Sequence, residues 1–296
     1  MRTALLIAAL MGVAGLLAAA CGSEETPAPS PAATQSPQTT ATPKATATPT
    51  TTATPKEVRR PEWTVEQQPS GADVTVVLSD GVNQYPVASV SAAEFLQFEQ
   101  WSMAYDQDLD GDGVNEAIVS HYTGGAHCCF EYLIFDSGPA GIASLDSFSL
   151  GDAGLDSLED LDGDGIPEMR SNDGRLAYFD DVSYAASPFL PLILCRSADG
   201  TYTDCTPDFP DMLEESAQEF EGLLADAPQS ASESDKALKY GYSLGLLASY
   251  MRLGREDEGW SKVAVLCAEC ESWLRQNLAD LEARLESPMP YRGRGY

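Results

Sequence analysis

The sequence predicts an α+β protein: a mainly antiparallel β region followed by an α-helical C-terminal region. Three observations carry that expectation. A nine-residue Asp/Gly phrase occurs twice, at 108–116 and 160–168, so the middle of the chain is a repeat. Short runs rich in Val, Ile, Tyr and Phe, bounded by Asp-Gly and Gly-Pro turns, fill much of 73–196. Beyond Pro210 the apolar residues return at steps of three and four, the period of a helix.

The first 60 residues belong to neither region. Met1-Arg2 is a positive start, and Ala4 to Ala20 is apolar, uncharged and too short for a comfortable membrane span. Leu17-Ala18-Ala19-Ala20-Cys21-Gly22-Ser23 resembles a bacterial lipoprotein signal, although that pattern places Leu where Ala18 stands. The resemblance implies a signal peptide over 1–20 and a lipid anchor on Cys21. Residues 21–60 are almost entirely Thr, Pro, Ala and Ser; with no apolar face to bury, they are expected to form an extended, disordered tether.

The repeated phrase carries the chemistry. Its copies are Asp108-Leu109-Asp110-Gly111-Asp112-Gly113-Val114-Asn115-Glu116 and Asp160-Leu161-Asp162-Gly163-Asp164-Gly165-Ile166-Pro167-Glu168. Carboxylates at positions 1, 3, 5 and 9, with glycine at 6 to let the backbone turn, give a hard cation convergent oxygens. The carbonyl at position 7 (Val114, Ile166) is a further expected ligand. Without a cation the acids repel one another, so Ca²⁺ is the simplest occupant. An EF-hand is excluded: position 12 is Val119 or Ser171 instead of a bidentate Glu, and a strand-like run, Ala117 to Tyr122, follows the first copy. A loop that closes at position 9 and runs into a strand resembles the FG-GAP and VCBS-type repeats of β-propeller blades. The likeness covers Trp101 to Cys205 and implies calcium sites. Two copies, where a closed propeller needs about four blades, imply a blade-like β region rather than a closed propeller. The intervening Tyr122 to Phe130 also resembles a segment of bacterial secreted proteins.

Strands are expected at Asp73–Leu78, Phe98–Tyr105, Phe130–Phe135, Arg175–Phe179 and Pro191–Arg196, with turns at Asp80-Gly81 and Asp199-Gly200. The β domain is placed at 61–207 and the helical region at 208–288, with a tail at 289–296. Leu213, Ala217, Phe220 and Leu224 mark one helix, and Tyr240, Leu244, Leu247 and Met251 a second that stops at Gly254. Trp260 to Leu285 marks one long final helix.

Beyond Cys21 stand six cysteines, Cys128, Cys129, Cys195, Cys205, Cys267 and Cys270, an even number that fits disulfides in an exported protein. Local bridges are expected at 195–205 and 267–270, with Cys128 and Cys129 each pairing elsewhere. Cys267-Ala268-Glu269-Cys270 has redox-motif spacing, but the helical pattern puts it inside a helix, away from the N-terminal dipole that activates a thiolate. His121, His127, Cys128 and Cys129 have the atoms for Zn²⁺, yet a packed turn is the better expectation. Gly241-Tyr242-Ser243-Leu244-Gly245 matches a nucleophile elbow but lies in a helical pattern with no histidine downstream.

With 46 acids against 17 bases, net −29, nucleic acid is excluded as a partner. The expected protein is exported and lipid-anchored at the cell surface, with calcium stabilising its β domain. Its expected role is binding or structural, toward a cell-envelope or extracellular protein or a glycan. The competing class is a cell-envelope or polysaccharide hydrolase, for which the sequence singles out no carboxylate pair.

Overall fold

A computed structural model describes residues 60–95, 100–125, 127–228, 230 and 232–292. The signal peptide, Cys21 and nearly all of the tether therefore lie outside the described residues, as do Phe98 and the last four residues of the tail. Among those described, no helix is long and apolar enough to cross a membrane.

Among the described residues eleven strands form three antiparallel sheets, each a simple up-and-down run. The first holds β1 (Thr64–Ser70), β2 (Asp73–Ser79) and β3 (Gln84–Ser91), followed by the short helix α1 (Ala92–Phe95). The second holds β4 (Gln100–Gln107), β5 (Glu116–Tyr122), β6 (Phe130–Gly138) and β7 (Gly141–Gly151). The third holds β8 (Leu155–Glu159), β9 (Glu168–Asp173), β10 (Leu190–Arg196) and β11 (Tyr202–Asp204). No described sheet closes on itself.

The second sheet is the middle layer, and its sequence shows why. Ala117, Val119, Leu133 and Phe135 face Val76, Leu78 and Val87 of the first sheet. Ile118, Tyr132, Ile134 and Phe148 face Met169, Leu192, Leu194 and Tyr202 of the third. Successive side chains on a strand point to opposite faces, so a strand covered on both sides is apolar at every position. Ala117-Ile118-Val119 is such a run.

Five helices complete the C-terminal region: α2 (Pro210–Ala225), α3 (Glu233–Arg252), α4 (Glu256–Leu266), α5 (Ala268–Gln276) and α6 (Leu278–Glu286). Their apolar faces share one core with Leu176, Phe179 and Val182 from the β9–β10 connection and with Leu190, which opens β10. Gly245 of α3 lets the Phe220 ring of α2 approach, since a Cβ there would sit 2.7 Å from the ring. Gly241 likewise abuts the Ala186 carbonyl, and Ser243 is fully buried and donates to the Tyr240 carbonyl at 2.9 Å. The glycines of the elbow-like phrase are there for helix packing.

Three expectations need correction. Arg175–Phe179 is not a strand: Gly174–Leu176 is a 3-10 turn whose N-cap carboxylate, Asp173, accepts the Arg175 N–H. The Trp260–Leu285 pattern is three helices, not one. Cys267 has extended backbone (φ −152°, ψ 90°) and ends α4, and Asn277 (φ −106°, ψ 10°) separates α5 from α6. The apolar period continues through both breaks, which hides them. Finally, Cys128 and Cys129 are bonded to each other across a cis peptide, rather than each to a distant partner. The expected 195–205 and 267–270 bridges are present.

Candidate metal centre

The two Asp-rich loops occupy the same place in successive sheets. The first joins β4 to β5 and the second joins β8 to β9, the first and second strands of each four-stranded run. In both, the ladder pair at the loop's base includes the final glutamate: Gln107 opposite Glu116, and Glu159 opposite Glu168. That glutamate is thus anchored by strand pairing, while the aspartates are carried on the turn above it.

Backbone N–H groups set the aspartates. Asp108 Oδ1 accepts Gly111 N–H at 2.7 Å and Oδ2 accepts Gly113 N–H at 2.9 Å. In the second loop Asp160 accepts Gly163 and Gly165 at 2.8 and 3.1 Å. The Glu116 carboxylate accepts Leu109 N–H at 2.6 Å, and Glu168 accepts Leu161 N–H at 2.8 Å. Gly113 and Gly165 have φ +86° and +92°, a region costly for any residue with a Cβ. The loops therefore share these bonds, while the first adds Asp110 N–H to Asp108 at 3.3 Å and Asn115 to Asp106 at 2.9 Å, which the second, with Pro167 in the place of Asn115, lacks.

The result is a triad of carboxylates in each loop. One oxygen each from Asp108, Asp110 and Glu116 lie within 4.8 Å of one another, and the same holds for Asp160, Asp162 and Glu168. Asp112 and Asp164 stand outside these groups, accepting Val114 N–H and Ile166 N–H, each at 2.7 Å. Three of the four expected carboxylates thus converge in each loop.

Electrostatics separate the two copies. Glu116 is 1% exposed, and burial pushes its carboxyl up to about 7, with the charges of Asp110, Asp136 and Asp108 adding and the Leu109 N–H opposing. Glu168 is raised by the same cause, burial, with Asp162 and Asp164 adding. Arg196 of β10 reaches Asp110 at 3.4 Å, a cation the sequence offered no means of placing. It lies 86 positions away and comes from the neighbouring sheet. Only the glutamate of each triad is buried, Asp108 and Asp110 being half-buried and Asp160 and Asp162 exposed; carboxylates crowded by like charge favour a cation, and an all-oxygen set suits Ca²⁺ over softer metals.

The other candidates lie apart. His121 Nδ1 pairs with Glu131 at 3.0 Å, and His127 stacks on Tyr184 with ring centroids 3.9 Å apart. Cys128 and Cys129 are occupied by their mutual bond.

No protein-family model matches this chain, and no solved structure is similar to it. Over 157 residues the chain is 32% identical to a probable thylakoid lumen protein of the cyanobacterium Synechocystis sp.. The shared stretch covers 52% of this chain and 44% of that protein, so the chain spans less than half the length of its relative.

Proposed function

We propose that this is an exported, lipid-anchored calcium-binding protein with a binding or structural role at the cell surface. In this reading each Asp-rich loop holds one Ca²⁺, which fixes the junction between the first two strands of its sheet. The observation that carries it is the repeated triad of carboxylates, seated by the same hydrogen bonds in both loops and anchored through a buried glutamate. A single acidic turn is common on an acidic protein. Two that seat their first aspartate and final glutamate by the same backbone bonds, at equivalent points of two sheets, are better explained by a shared ligand.

Export is supported by the leader and the Cys21 context, by three disulfides, and by a relative named for the thylakoid lumen, which proteins reach by crossing a membrane. Extracellular calcium modules bind at about 10⁻⁴–10⁻³ M, sufficient where the ion is plentiful. A ligand confined to the folded state stabilises it by about 2.7 kcal/mol when present at about 100 times its Kd. Melting curves of the full chain in EDTA and in excess Ca²⁺ test the clamp. A higher Tm with calcium is expected, and superimposable curves would refute it.

A further inference from the structure

All three cysteine pairs lie outside the Asp-rich loops, and one of them begins a helix. Cys267 is the N-cap of α5, a nine-residue helix, and its Sγ accepts the Cys270 N–H at 3.2 Å. The bonded sulfurs are placed unequally. Cys270 is fully buried, its Sγ 3.8 Å from the Lys239 carbonyl. Cys267 is 7% exposed and borders a cleft of about 470 Å³ lined also by Leu224, Ser230, Lys239, Leu266 and Glu269.

We propose that the Cys267–Cys270 bridge is a thiol–disulfide exchange site for dithiol proteins, with Cys267 as the sulfur attacked and Cys270 as the leaving one. A thiolate on the partner attacks Cys267 Sγ through the cleft and forms a mixed disulfide. The Cys267–Cys270 bond breaks, and its electron pair leaves on Cys270 Sγ, which takes up a proton. The partner's second thiol gives up its proton and attacks its own sulfur in the mixed disulfide, so the partner departs as a disulfide. Cys267 leaves as a thiolate that takes up the second proton. Two electrons and two protons have passed from the dithiol to the bridge.

Two helix ends meet at Cys267, the C-terminus of α4 and the N-terminus of α5, and it is the α5 end that its sulfur faces, accepting the Cys270 N–H. A sulfur at a helix N-terminus is stabilised by the unpaired N–H groups and the positive end of the helix dipole. The two first-turn acids of α5 would oppose this, but each has a cation: Glu269 pairs with Lys239 of α3, and Glu271 pairs with Arg275 at 2.7 Å. Lys236 of α3 lies over the Tyr240 ring, and Lys262 of α4 is paired with Glu221 of α2 at 2.7 Å. Cys195 and Cys205 are half-buried, more exposed than Cys267, but they sit in and beside the β10–β11 ladder, with Cys205 Sγ 3.5 Å from the Ile193 carbonyl and its N–H bonded to the same group; what holds that bridge is the strand pairing, not burial.

The test equilibrates the full chain in graded ratios of reduced to oxidised glutathione, followed by acid quench, alkylation and peptide mapping. The 267–270 bridge should open at a ratio at least about tenfold less reducing than 195–205, with circular dichroism unchanged, and glutathione should be captured on Cys267. Opening together with or after 195–205, opening only as the chain unfolds, or capture on Cys270 would overturn the proposal. In Cys270→Ser, the Cys267 thiolate absorbance should titrate below the free-thiol value of about 8.5; titration at or above that value would also overturn it. Should that variant fail to fold, the glutathione series on the native chain decides alone.

Discussion

Glu116 holds opposing demands in one carboxylate. It must be ionised to bind a cation, yet burial pushes it up to about 7. Without the ion, the folded protein therefore keeps a proton on Glu116 that the unfolded chain, with its ordinary carboxylate, has already released. The sign follows: between about 4.5 and 7 the native state binds more protons, so this group adds stability at low pH and loses it as pH rises through 7. In EDTA the Glu116 contribution should make the protein melt higher at pH 6 than at pH 8. Calcium, which requires the ionised form, should raise Tm more at pH 8 than at pH 6. Glu116→Gln should reduce both differences and weaken binding in the first loop by about tenfold or more, each decade being about 1.4 kcal/mol. Melting at the two pH values in both proteins checks this, and a pH dependence unchanged by the substitution would count against it.

The loops depend on glycines whose role is conformational alone. A Cβ built on Gly113 or Gly165 meets nothing within 4 Å, so Ala would be strained only by the backbone at φ +86° and +92°. Gly113→Ala and Gly165→Ala should each cost about 1–2 kcal/mol, read as a lower urea midpoint, with Asn at the same position costing less. Much at this scale was legible in the chain itself. The doubled phrase encodes turn, acid spacing and following strand within nine residues, and the first aspartate and last glutamate accept the same backbone bonds in both copies. The strands Asp73–Leu78, Phe130–Phe135 and Pro191–Arg196 announce themselves by β-branched and aromatic side chains. What stayed hidden was set from afar. Arg175–Phe179 has strand composition, but the Arg175 guanidinium is held by Asp173 and by the carbonyls of Leu285 and Ser287, more than a hundred positions away. Strand β7 carries Ser and Asp between its apolar residues and gave no clear run. The break at Cys267 leaves the apolar period intact, so pattern alone placed the cysteine pair inside a helix when it begins one.

At the scale of the whole molecule, two four-stranded sheets follow one another in sequence and each hangs its acidic loop between its first two strands. The helices are bound to the third sheet by more than apolar packing. Arg252, at the end of α3, donates to Asp204 at 2.7 Å and to the fully buried Asp173 at 3.2 Å, while Arg175 donates to Asp173 and points two N–H bonds at the last turns of the chain. Removing Arg252 leaves Asp173 and Asp204 to share one cation, Arg175, at 2.6 and 3.7 Å. Arg252→Met should therefore destabilise the protein by about 3–5 kcal/mol, checked by chemical denaturation, while Arg255→Met, whose side chain is 41% exposed, should cost under about 1 kcal/mol. Equal costs would mean that the network adds nothing beyond a surface pair.

Calorimetric titration of Ca²⁺ into the full chain measures most directly whether these loops hold the ion. Two binding events are expected, with Kd of about 10⁻⁴–10⁻³ M, one lost in Glu116→Gln and both in the variant that also carries Glu168→Gln. No binding at millimolar calcium, or undiminished binding once both buried glutamates are neutralised, would contradict the account.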